Sequence, residues 1–93
     1  MNFLITEALP PKQQECIKNL FEQVKTRFPE IEFLGLERNP EDKEHIWITV
    51  LAPMSEEREI QLSRYAAGLA ADILVEFDIM LSIMPESPEL QLA

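Results

Sequence analysis

Residues 65–84 read YAAGLAADILVEFDIMLSIM, and the fold turns on whether they form one long helix or a helix that gives way to a strand. Leu62, Ala66, Leu69, Ile73 and Phe77 recur at steps of three and four, as on one face of a helix. Yet Val75, Phe77, Ile79, Leu81 and Ile83 alternate with Glu76, Asp78, Met80 and Ser82, as in a strand. Alanine favours helix in the first part, and a strand of about six residues is a usual length for the second. The break is therefore expected at Asp78, with a strand over Ile79–Met84 ended by Pro85.

Working back from this stretch, Ser55 after Pro53 is placed to cap the helix, with Glu56 and Glu57 in the first turn, where the helix dipole favours anions. Ile31–Glu37 and His45–Leu51 are rich in strand-forming residues, and Asn39, Pro40 and Asp42 mark the segment between them as a turn. An antiparallel hairpin is expected there. From Pro11 to Phe28, Ile17, Leu20, Phe21, Val24 and Phe28 share one helical face; Lys25 and Arg27 suit its last turn, and Pro29 stops it. The expected class is α+β: a two-layer sandwich in α-β-β-α-β order, with a three-stranded mixed sheet and two helices. Residues 1–93 form one domain in this reading, with a loose tail over 86–93 in which Leu90 and Leu92 could dock.

A net charge of −9, from 17 acidic against 8 basic residues, argues against nucleic acid and membrane surfaces as partners. One cysteine and one histidine allow neither an internal disulfide nor a multi-histidine metal site. No basic, apolar leader opens the chain, and Asp72 interrupts the apolar run that begins at Tyr65, so a cytoplasmic protein is expected.

The residues able to carry chemistry are few. Glu41, Asp42, Glu44 and His45 offer metal-binding atoms, but neighbours at a loop-to-strand junction point in different directions, which suits a charged surface better. Cys16 has no activating neighbour in sequence and reads as a packing residue, while Ser63 and Ser82 lack an evident base. The turn Ala52-Pro53-Met54-Ser55 has no glycine to cradle a phosphate, and Glu56, Glu57 and Glu59 would repel one. No catalytic, metal or cofactor site is expected.

The order of a helix, a strand bearing Phe33-Leu34-Gly35-Leu36, a second strand opening His45-Ile46-Trp47, a helix and a strand resembles the core of the minimal nucleotidyltransferases. The Gly-Ser and Asp-x-Asp motifs of that family are missing, although Asp72 to Asp78 echoes its acidic strand. The resemblance implies a degenerate domain without the catalytic motifs. The same element order occurs in KH-like RNA-associated domains, but no G-x-x-G element is present and the charge opposes RNA.

The remaining signal is apolar surface. With Ile31, Phe33, Ile46, Ile48, Val50, Ile79, Leu81 and Ile83 facing the helices, the other face would hold Leu34, Leu36, Trp47, Thr49, Leu51, Met80, Ser82 and Met84. Such a face is covered by the chain's own termini, by one of the helices if the two sit on opposite faces, or by a partner, since large aromatic and thioether side chains dominate interface cores. The polar stripe of the second helix is also too narrow for a side that faces only water. The expected function is a non-enzymatic protein-interaction module that forms a homodimer, with Leu34, Leu36, Trp47, Leu51, Met80 and Met84 at the contact. No basic residue follows Arg64, whereas Asp72, Glu76, Asp78, Glu86 and Glu89 do, so a protein with a basic patch is a second expected partner.

Overall fold

A computed structural model describes residues 9–87. The elements are α1 (Pro11–Arg27), β1 (Glu32–Asn39), β2 (Asp42–Leu51), α2 (Glu56–Phe77) and β3 (Met80–Glu86). They form a two-layer α+β sandwich whose single sheet has the order β1-β2-β3. β1 lies antiparallel to β2, and β3 parallel to it.

Each helix boundary has a local cause. Proline at the first positions of α1 costs no backbone bond, because the first N–H groups of a helix have no partner inside it. At the other end the Phe28 N–H closes on the Val24 carbonyl, and the Lys25 ammonium donates to the carbonyls of Pro29 and Ile31. The Ser55 hydroxyl accepts the Arg58 N–H at 3.2 Å and caps α2. Helix α2 stops at Phe77 because Asp78 takes the left-handed conformation (φ 58°), which a short polar side chain tolerates better than most. The ambiguous stretch therefore resolves at the expected residue.

Ile46, Ile48 and Val50 of β2 are fully buried, and they meet Leu20 and Val24 of α1, Leu62 and Ala66 of α2, and Leu81 and Ile83 of β3 in one core. Both helices thus lie on the same side of the sheet. Phe28 joins the layers, with its ring 6.0 Å from that of Tyr65 and the Arg58 guanidinium 4.6 Å from its centroid.

The structure corrects the hairpin, the third strand and one face assignment. The loop between β1 and β2 is only Pro40 and Glu41, because Asn39 Oδ1 takes the Glu41 N–H and Asp42 Oδ1 the Glu44 N–H, which tightens the turn and lengthens both strands. Pro85 does not end β3: it pairs with Val50, and Glu86, expected in the tail, accepts the Ala52 N–H at 2.8 Å. An edge strand accepts proline where the missing N–H would point away from the sheet. Finally, Phe33 pairs with Val50 but Gly35 with Thr49, so Leu34 is an extra residue that shifts the phase of β1. Leu36 then pairs with Ile48 and packs against the core instead of on the far face. Leu90 and Leu92 lie outside the described residues.

Candidate functional site

On the sheet side away from the helices, the register aligns His45 with Met80, Trp47 with Ser82, Thr49 with Met84 and Leu51 with Glu86. Of the expected contact set, Trp47, Leu51, Met80 and Met84 come together here, and Leu34 stands beside them at the bulge; all are half-buried. Leu36 is not among them. Thr49 at the centre is 6% exposed. Among the described residues, no helix or strand lies over this face. Apart from Glu86 at the end, the side chains that β2 and β3 present here carry no carboxylate.

At the margin of this face stands a constellation that the sequence concealed. The register of β2 and β3 carries His45 Nε2 to 2.8 Å from Ser82 Oγ, while His45 Nδ1 lies 3.4 Å from Asn39 Nδ2. Ser82 therefore does have a base-type neighbour, contrary to expectation, because pairing through the α2 crossover joins residues 37 positions apart. The direction of the bonds decides what the group can do. Asn39 Oδ1 is occupied by the Glu41 N–H, so its amide nitrogen faces the imidazole and donates to Nδ1. In the tautomer whose Nδ1 accepts this contact, the proton on Nε2 is donated to Ser82. A general base needs Nε2 unprotonated toward the hydroxyl, so this tautomer ties β3 to β2 without activating the serine.

The other expectations about chemistry concern single residues. Among the described residues, no three His, Cys, Asp or Glu side chains gather as a metal site. Cys16 is buried in the α1 face of the core, and burial pushes its thiol pKa up. Gly35, which in the nucleotidyltransferase comparison would close the first strand, sits inside β1. Asp72 is exposed on α2, and Asp78 caps that helix. A cleft of about 440 Å³ near the start of β3 places Arg38 among Glu44 and Asp78, one positive charge against two negative ones.

A second apolar surface was only hinted at by the narrow polar stripe of α2. Beside β3, α2 presents Ile60 (49% exposed), Ala67, Ala71, Leu74 (41%) and Val75 (87%). Between this flank and β3 runs a groove of about 240 Å³, lined by Ala67, Ala70, Ala71 and Leu74 from the helix and by Met80, Leu81 and Ser82 from the strand.

No helix among the described residues is long and apolar enough to cross a membrane. No protein-family model matches the chain, and searches of curated proteins and solved structures give no match either.

Proposed function

We propose that this chain is a non-enzymatic, cytoplasmic protein-interaction module that self-associates and uses the sheet face around Trp47 as a contact surface. The observation that carries the reading is the one-sided layering: both helices cover one face, and Trp47, Leu51, Met80 and Met84 occupy the other. A second copy is the favoured occupant on electrostatic grounds. A chain of net charge −9 can approach its own copy closely only through surface that carries little charge, and the β2 and β3 part of this face is such a surface, bounded on the β1 side by Glu37 beside Trp47 and Glu32 beside Leu51. The raised pKa of buried Cys16 supports the non-enzymatic part of the reading.

The test is solution mass by light scattering across the micromolar range, on wild type and Trp47→Ala. Wild type should exceed the mass of one chain. Trp47→Ala should weaken association by more than ~2 kcal/mol, the range of aromatic hot spots, with its circular dichroism unchanged. A wild-type monomer throughout, with blue-shifted Trp47 emission, would overturn self-association in favour of cover by the chain's own terminal segments.

A further inference from the structure

Strand β3 forms one outer edge of the sheet, and its hydrogen-bonding direction follows from a single contact. Glu86 accepts the Ala52 N–H across to the β2 side, so Glu86, Met84, Ser82 and Met80 direct their backbone groups inward. By alternation Leu81 and Ile83 direct theirs outward, where the sheet order of the described residues provides no neighbour. Pro85 shares that direction but has no N–H to present.

An unpaired edge is a template for another strand, and it is normally blunted by charge, a bulge, proline or a covering element. Among the described residues, this edge has none of these from Met80 to Met84. It is instead continued upward by the flank of α2 where Ala67 and Ala71 line the same groove as Leu81, with exposed Arg64 one turn before them.

We propose that β3 pairs with β3 of a second copy, antiparallel about a two-fold axis at Leu81, with Ala67 and Ala71 of the two α2 helices meeting above the seam. In this register Leu81 faces its own counterpart and Ile83 faces Ile79, each pair exchanging its backbone bonds, while Pro85 falls beyond the ladder. Asp78 lies opposite Met84, so no carboxylate directly opposes another in the strand pair. Small side chains at Ala67 and Ala71 let the helices come close enough for the strands below to bond. The seam is a strand stretch of roughly 17 Å under a helix flank of roughly 20 Å, in two layers ~10 Å apart. That footprint is on the order of 500 Å² per copy and about 1,000 Å² in total, the lower bound for a specific interface. The result is one continuous six-stranded sheet with all four helices on one side and the two Trp47 faces adjacent on the other. The proposal rests on the self-association reading and adds a contact separate from the Trp47 face.

Amide hydrogen exchange by NMR, on dilute and concentrated full-length protein, tests the seam directly. The Leu81 and Ile83 amides should slow at least ~10-fold on concentration, while the Leu36 amide on the opposite edge stays fast at both. Ala71→Glu, an exposed helical position that leaves the fold intact by circular dichroism, should raise the dissociation constant of this contact at least ~100-fold by bringing like charges together on the axis; Ala71→Ser should not. A wild-type monomer at every concentration would overturn this proposal and the self-association reading together. A chain that self-associates with fast Leu81 and Ile83 amides and no response to Ala71→Glu would overturn the edge contact alone and leave the Trp47 face standing.

Discussion

Along β1 the strand carries Glu32, Glu37 and Arg38 and is broken by the extra residue at Leu34, whereas β3 runs from Met80 to Met84 with neither a charge nor a bulge. Both are outer strands of the same three-stranded sheet. Charge and irregularity make β1 a poor template for pairing, and their absence leaves β3 a good one. The layers above repeat the contrast. On the β1 side, Arg58 bonds the Glu30 carboxylate at 2.6 Å, the Arg27 guanidinium lies 5.0 Å from the Tyr65 ring centroid, and Phe21 meets Phe33 edge-on at 5.7 Å. On the β3 side, α2 exposes Val75, Leu74 and small alanines. A surface finished on one side and bare on the other is what an assembling subunit needs, since only one edge can be open if the assembly is to close as a dimer.

The comparison implies that the β1 side contributes more to the stability of the single chain. Phe28 is 3% exposed and lies between Tyr65 and Arg58, so Phe28→Ala should cost ~3 to 5 kcal/mol in urea unfolding. The corresponding truncation to alanine on the other side, Ile83→Ala, should cost less, near the ~2 kcal/mol lower end of the range for a buried isoleucine, in the dissociated chain. Equal losses, measured at a concentration where the protein is monomeric, would break the contrast.

How far this asymmetry could be read from the sequence depends on which information each part needs. The helix-to-strand break was legible because it is local: alanines, then alternation, with Asp78 between them. The phase of β1 was not, because nothing in Phe33-Leu34-Gly35-Leu36 announces that Leu34 lacks a partner across the sheet, and that bulge moved Leu36 from the far face to the core. The link between His45 and Ser82 was hidden for the same reason, since parallel register through a crossover helix is a long-range property. Four of the six expected contact residues belong to β2 and β3, whose alternation is regular, and these are the ones that the far face brings together.

A smaller effect sharpens the comparison on the β3 side, where α2 is less finished than α1. Gly68 lies in the middle of α2, is exposed, and a Cβ built there would meet nothing within 4 Å. Gly68→Ala should therefore stabilise the chain by ~1 kcal/mol, through lower backbone entropy in the unfolded state and better helix propensity. Residue 68 neighbours the Ala67 and Ala71 line, but alanine adds only one methyl group there, so the dissociation constant should stay within about twofold of wild type. A thermal melt with a lower midpoint would show that something packs on Gly68 and that the bare side is wider than described.

The smallest expected effect concerns the fastening on the β1 side and its dependence on pH. The hydrogen bond from Arg58 holds the Glu30 carboxyl below the usual carboxylate range, with a backbone hydrogen bond adding to it. In the unfolded chain Glu30 titrates in the ordinary range, so on acidification the unfolded state takes up the proton first. The pair's contribution is thus fully present above that range and is lost as pH falls from it through the lowered folded value. Glu30→Gln, which keeps the shape and removes the charge, should lower the urea midpoint slightly near neutral pH, and the difference should shrink as pH falls below the ordinary carboxylate range and through the lowered folded value. Salt should shrink the neutral-pH difference, because the pair is partly exposed. The β3 seam sets no carboxylate opposite another and lies on the other side of the sheet from Glu30, so its dissociation constant should be less sensitive to the same substitution than the folding midpoint is. If Glu30→Gln changed association and left folding alone, Glu30 would belong to a contact, and the β1 side would not be the closed one.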